Sequence, residues 1–216
     1  MVTGQDKMED LKIFETHFRT RGIGVSLVNE SPKAENYKEI KDTSFCQAVK
    51  LAHSEPLYVN KDSLSCPGAR FVFGLKGAGP EPVIKELVKN RKINLNTAKK
   101  MVGAPIRFTK PFQWILLNQK NADIYIFLFN PKKIMHLLTL YQMKDELFTA
   151  EMGSIMAMCG EIAVKTLVTG KASLSFGCPV SRTNGGIHDG ELIIGIPQNQ
   201  IPLLVKAVVF DFEEFR

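Results

Sequence analysis

Several features that would place this chain quickly are missing from it. No apolar run approaches the roughly 18 residues of a membrane span, although 44% of the 216 residues are hydrophobic. Met1 to Asp10 is polar and acid-bearing, without the apolar centre of a secretory signal. These two absences point to a cytoplasmic protein without a membrane partner, whose thiols stay mostly reduced. Cysteine is scarce, with four in the chain, and none stands in the close Cys-x-x-Cys spacing of zinc ribbons or bacterial ferredoxins. Four thiols in a reducing compartment argue less for a disulfide framework than for metal, redox chemistry or burial. Phosphate signatures are absent too. Gly74-Leu75-Lys76-Gly77-Ala78-Gly79 follows an apolar run and has the composition to seat a phosphate at the next helix. It matches neither a Walker loop nor the full dinucleotide fingerprint.

Charge of either sign is modest, at net +6, and its placement matters more than its size. The densest basic stretch runs through Lys85, Lys89, Arg91, Lys92, Lys99, Lys100, Arg107 and Lys110, opposed by Glu86 alone. A basic face can follow phosphates. No stacking-aromatic pattern or nucleic-acid motif accompanies this one, so a solvated helix-and-loop surface is expected rather than a nucleic-acid partner.

The chain does contain a repeat. Ser63-Leu64-Ser65-Cys66-Pro67-Gly68-Ala69-Arg70 returns as Ser173-Leu174-Ser175-Phe176-Gly177-Cys178-Pro179-Val180-Ser181-Arg182. Each copy has a second cysteine upstream, Cys46 and Cys159, at gaps of 20 and 19 positions. The surroundings match in order: an apolar run ending at asparagine and then proline (Ile23 to Asn29, Ile124 to Pro131), the cysteine segment, Ser-Leu-Ser, Cys-Pro, an apolar run with glycine (Phe71 to Leu75, Leu192 to Ile196), and a proline-led helix. Internal self-similarity sets the fold reading. The expectation is one domain over 1–216, with internal repeats at about 22–90 and 122–209 sharing one core as two pseudo-symmetric halves.

Local patterns fill in the elements. Met8, Leu11, Phe14 and Phe18 suit an N-terminal amphipathic helix over 7–20. Strands are expected at 24–28, 57–59, 105–109, 112–117, 172–176 and 191–196, and a central one at 124–129, the most continuous apolar run. Helices are expected at 45–53 behind the caps Thr43 and Ser44, and at 82–90, 94–102, 132–143 and 151–168, with a last one ending near Val208. Strands and helices mix throughout, so the class is α+β. Trp114, Met152, Met156 and Met158 read as core, and His17, His53 and His136 as structural or exposed.

Cys-Pro-x-x-Arg has a physical meaning in both copies. A cysteine capping a helix that begins at the proline faces unpaired N–H groups, and the helix dipole favours its thiolate. The arginine, about one turn on, adds positive charge. The phosphatase loop needs a wider cysteine–arginine spacing. In the Gly-rich loop 183–190, His188 and Asp189 with the neighbouring Glu191 have the makings of an active-site lid over Cys178 or of a plain surface loop.

The pieces Cys46-Gln47-Ala48-Val49-Lys50-Leu51-Ala52, Cys66-Pro67-Gly68-Ala69 leading to Phe73-Gly74-Leu75, Cys159, Phe176-Gly177-Cys178, Ser181-Arg182, Glu191 and Gly195-Ile196-Pro197 resemble the archaeal and bacterial ArCR family, domain of unknown function 169. The resemblance runs from about Val25 to Val208. It implies a prokaryotic source and weight on the cysteines, Arg182 and Glu191, and it carries no activity.

Three readings follow. In the first, Cys46, Cys66, Cys159 and Cys178 hold an iron–sulfur cluster or zinc, with a redox partner. In the second, Arg70, Arg182 and Glu191 bind a small molecule or anion between the halves. In the third, Cys178 is the nucleophile of a thiol-dependent enzyme with His188 as its base. The null alternative, buried structural cysteines, fits Cys159 best.

Overall fold

The computed structural model describes residues 4–33, 35–144, 148–150, 152 and 155–214. Its frame is one seven-stranded sheet in the order β2-β3-β4-β1-β5-β7-β6. The strands are β1 (Ile23–Val28), β2 (Lys38–Ile40), β3 (Leu57–Asn60), β4 (Trp114–Leu117), β5 (Ile124–Phe129), β6 (Ser173–Ser175) and β7 (Leu192–Pro197). Every pairing is antiparallel except β2 with β3. The apolar runs at 23–28 and 124–129 become the central pair, with Ile23 opposite Ile126 and Val25 opposite Ile124. Four strands lie on one side of this seam and three on the other; leaving out the outer β2, the strands β1, β3 and β4 lie first, third and second from the seam, as β5, β6 and β7 do on the other side.

Alternation along the strands divides the core into two layers. Ile124 and Ile126 of β5 and Ile193 of β7 face one hydrophobic cluster. Tyr125, Phe127, Phe129, Ile194 and Ile196 face the other. Helices α1 (Gly4–Phe18), α6 (Pro131–Gln142) and α9 (Ile201–Glu214) cover the second face. There Phe14 and Phe18 stack among Phe127 and Phe129, and His17 Nε2 meets His136 Nε2 at 2.8 Å. The first face is covered by α2 (Phe45–Ala52), α3 (Pro67–Val72), α4 (Glu81–Arg91), α5 (Leu95–Gly103) and a π-helix at Ala157–Val164 that continues as α7 (Lys165–Thr169). Helix α8 (Pro179–Gly185) packs against α2. The result is a mixed α+β sheet with helices on both sides.

Most elements fall where the sequence places them, but no strand was expected at β2, α8 takes in the first residues of the loop expected over 183–190, and four further differences stand out. Phe71 and Val72 finish α3 and Phe73 caps it, so Phe71 to Leu75 is not the counterpart of β7; by position in the sheet that role falls to β4. The stretch 105–109 is loop rather than strand, held by Phe108 N–H donating to the Val72 carbonyl at 2.8 Å. The helix expected over 151–168 is a π-helix and a short α-helix, and Glu151, Gly153 and Ser154 lie outside the described residues. Met152 is 44% exposed and does not fill core.

Candidate functional site

All four cysteines line one cavity on the first face of the sheet. Four separate elements deliver them. Cys46 is in the first turn of α2, whose start is fixed by a capping box: Ser44 Oγ accepts from Gln47 N–H and the Gln47 side chain accepts from Ser44 N–H. Cys66 is the N-cap of α3 and Cys178 the N-cap of α8, each with proline as the first helical residue. Cys159 is in the π-helix. The pairing crosses between the two sides of the seam, because α2 packs on α8 and α3 packs on the π-helix.

Glycines make those contacts close. A Cβ on Gly68 of α3 would lie 2.8 Å from Met156 Cγ, and one on Gly160 of the π-helix 3.2 Å from Val72 Cγ1. The π-helix itself is an uncommon geometry that concentrates at functional sites. It begins after Met156 at φ 50 and carries the i→i−5 bond from Glu161 N–H to the Met156 carbonyl at 3.2 Å.

Sulfur and hydrocarbon dominate the lining. Beside the thiols stand Met156, Met158, Phe45, Val83, Leu87 and Ile155, while Glu86 and Arg91 of α4 bring the charge. The cavity volume is about 50 Å³. That is far below the roughly 300–1,000 Å³ of pockets that enclose organic ligands, and it holds a compact group or a few waters.

The thiols sense one another. Burial pushes the Cys46 and Cys66 thiols up, and Cys159 well up; Cys46, Cys66 and Cys178 each add to the rise at Cys159 by repelling negative charge there. The Ser44 hydroxyl, 3.2 Å from Cys46 Sγ, works the other way. So do the backbone N–H groups of Gly68 and Ala69 at Cys66, where burial outweighs them. The helix-start argument therefore meets a stronger opposing effect: Cys66 stands at the N-cap position without a capping bond from its side chain, and burial raises its thiol despite the helix start. Cys178 Sγ accepts from Ser181 N–H at 3.4 Å, and Ser181 Oγ accepts from Cys178 N–H at 2.8 Å.

Neither motif arginine lines the cavity. Arg70 donates to the carbonyls of Leu64 at 3.1 Å and Asp62 at 3.3 Å. Arg182 donates to those of Phe176 at 2.6 Å, His188 at 2.8 Å and Glu191 at 3.2 Å. In both copies the guanidinium reaches the carbonyl six residues back and ties down the turn that carries the cysteine. Glu191 Oε2 accepts from His188 N–H at 2.9 Å and so braces the same loop. His188 is exposed, and Asp189 stands 3.8 Å from Arg182; neither borders the cavity, and no contact joins His188 to Cys178 among the described residues. Arg70, Arg182, Glu191 and His188 thus act on the turns around the thiols. The sequence reading missed Arg91 and Glu86, whose only signal was their place on a helix that proves to roof the cavity. It also missed Glu161, a buried carboxylate that accepts from Ser175 Oγ at 2.6 Å, while Ser175 Oγ accepts from Gly177 N–H beside Cys178.

The fold is thus a mixed α+β sheet with the four cysteines at one cavity on its first face. The chain belongs to the domain-of-unknown-function 169 family, uncharacterised ArCR, whose profile matches residues 15–207. It is 26% identical over 196 residues to an uncharacterised protein of Methanocaldococcus jannaschii, covering 84% of this chain and 82% of that one. No solved structure matches. Among the described residues, no three or more of His, Cys, Asp and Glu are grouped as the ligands of a metal ion, and no helix is long and apolar enough to cross a membrane.

Proposed function

We propose that this protein binds an iron–sulfur cluster through Cys46, Cys66, Cys159 and Cys178 and serves a redox role. The observation that carries the proposal is that every cysteine in the chain, brought from four elements, borders one small cavity. Cys46 and Cys159 are buried and Cys66 and Cys178 half-buried, and cysteines present for packing alone would have no reason to share one cavity. Soft thiolate and thioether surroundings suit iron–sulfur chemistry, and apolar walls limit solvent access, one of the features that set cluster potential. Arg91 places a positive charge beside a centre whose four thiolates are negative.

Zinc is the weaker choice. Four sulfurs around one ion at about 2.3 Å must lie within roughly 3.8 Å of each other, and no such grouping stands among the described residues. In a four-iron cluster each thiolate bonds its own iron, so wider-set thiols serve, whereas a two-iron cluster would need them in close pairs. The same reasoning leads us to propose that the halves arose by duplication; the shared strand order and the paired Cys-Pro-x-x-Arg clamps support it.

The test is anaerobic purification or reconstitution, followed by iron and sulfide analysis and visible and electron-paramagnetic-resonance spectra. Bound iron and sulfide with absorption near ~400 nm, the thiolate-to-iron region, and a reducible paramagnetic signal are the expected result. Each single Cys→Ser variant should lose most of the iron. A colourless protein that takes up neither iron nor sulfide would falsify the reading.

A further inference from the structure

The basic excess of this chain is confined to one insertion over the cavity. Of 28 basic and 22 acidic residues, eight basic and one acidic fall within 82–110, which leaves 20 basic and 21 acidic for everything else. That segment is α4 after its first residue, Glu81, then α5 and the loop after them, lying between α3 and β4. On the other side of the seam, α8 reaches β7 through a short loop instead.

Helical spacing gives α4 two working faces. Val83, Leu87 and Arg91 recur every four residues and border the cavity with Glu86. Lys85, Val88, Lys89 and Lys92 recur at three and four and face outward; the lysines are exposed and Val88 is 38% exposed. On α5, which packs against α4, Leu95 is 51% exposed and shares a face with exposed Lys99. Ile106, 37% exposed, continues the mixture of apolar and basic groups. None of the lysines at 85, 89, 92, 99, 100 and 110 has an ion pair among the described residues.

We propose that the outer face of α4 and α5 is a docking surface for a small acidic protein. The charge pattern calls for an anionic partner, and the residue types choose the class. The arginines of the segment are placed elsewhere: Arg91 borders the cavity, and Arg107 donates to the Phe71 carbonyl at 3.2 Å with its guanidinium 4.5 Å above the Phe71 ring. The outward cations are therefore lysines, point charges without the fork that reads phosphate in two places. The face also lacks the aromatic side chains on which bases stack. Exposed aliphatic side chains rimmed by lysine instead fit a transient protein contact, where charge steers encounter and a small apolar centre holds register. Such a partner would sit one helix thickness from the thiols. The surface argument does not depend on what the cavity holds.

The test measures binding of a small acidic ferredoxin, as probe, to the full chain in metal-free and cluster-reconstituted forms across a salt series. Parallel titrations use a short DNA duplex and phosphatidylserine vesicles. Saturable ferredoxin binding that weakens steeply with salt is expected. The triple variant K85E/K89E/K99E should weaken it at least about tenfold, while the double variant K171E/K206E, whose lysines are exposed elsewhere, should bind like wild type. Equal ferredoxin binding by wild type and triple variant, or no saturable binding, overturns the proposal. So does tighter binding of DNA or vesicles through the same lysines, which would reassign the face to nucleic acid or membrane. Failure of the cluster alone leaves colourless protein that still binds the probe through these lysines, so the two readings fail separately.

Discussion

At the scale of single residues, the two motif arginines and the thiols divide the work. Arg182 offers a planar fork of donors and spends it on three backbone carbonyls. Removing it leaves the Phe176 and His188 carbonyls to water and the partly buried Glu191 carbonyl unpaired. Arg182→Ala should cost about 1 kcal/mol in urea unfolding, and Arg182→Lys should recover less than half, because an ammonium cannot reach several carbonyls in one plane. Were the arginine a ligand contact instead, stability would stay near wild type. The thiols make a different prediction. Cys46, Cys66 and Cys159 have pKa values raised by folding, so the folded apoprotein holds protons that the unfolded chain releases. Their contribution is fully present below the unfolded thiol value of about 8.5 and is lost as pH rises through the higher folded values. Thermal melting of the apoprotein should therefore fall off above about pH 8.5, and Cys159→Ala should flatten that fall. An apoprotein melt as alkali-sensitive in Cys159→Ala as in wild type would count against the burial argument. If the proposed cluster is held by thiolates, its uptake should release protons and strengthen with pH.

At the scale of elements, the start of α2 couples a helix cap to the site. Ser44 caps the helix and also contacts Cys46 Sγ at 3.2 Å. Ser44→Ala should cost about 1 kcal/mol in unfolding and should slow alkylation of Cys46 at pH 8, because a group that favours the thiolate has gone. Faster alkylation would show the cap to be shielding the thiol. This element was legible in advance: Thr43-Ser44 before Phe45, the asparagine before Leu95, and the apolar run at 124–129 all act locally, and local chemistry is what a sequence displays. Cys66-Pro67 and Cys178-Pro179 likewise gave their helix starts. The π-helix was not legible, because its apolar composition suits an α-helix equally. Phe71 to Leu75 matches by order the run that becomes β7, but Arg70 N–H donating to the Cys66 carbonyl and Phe73 N–H to the Ala69 carbonyl wind its start into helix. The convergence of the four thiols was suggested by the repeat, yet only the crossing of α2 onto α8 and of α3 onto the π-helix places them together. Arg91 and Glu86 could not be found, since nothing local says which helix roofs a cavity.

At the scale of the whole molecule, the sheet and the cavity bind the same two sides together in different ways. Across the seam, β1 and β5 pair over a short register, Ile23 to Val25 against Ile124 to Ile126. The cavity adds a second tie, since Cys46 and Cys66 come from one side and Cys159 and Cys178 from the other. A centre bonded to all four would staple both sides through covalent links that the unfolded chain cannot reproduce, so its binding energy becomes folding energy. Removing it would leave three raised thiols and an empty space among Met156, Met158 and Ile155. The cluster-loaded protein should then melt at least about 10 °C above the apoprotein, since a few kcal/mol shifts a domain of this size by several degrees each. Single Cys→Ser variants from either side should lose most of that gain, because three bonds hold a cluster far less well than four. Calorimetry of loaded, apo and single-variant proteins under anaerobic conditions checks this. A gain that survives Cys→Ser on one side but not on the other would mean that the group is held by one pair alone, and the staple across the seam would have to be abandoned even if iron is bound.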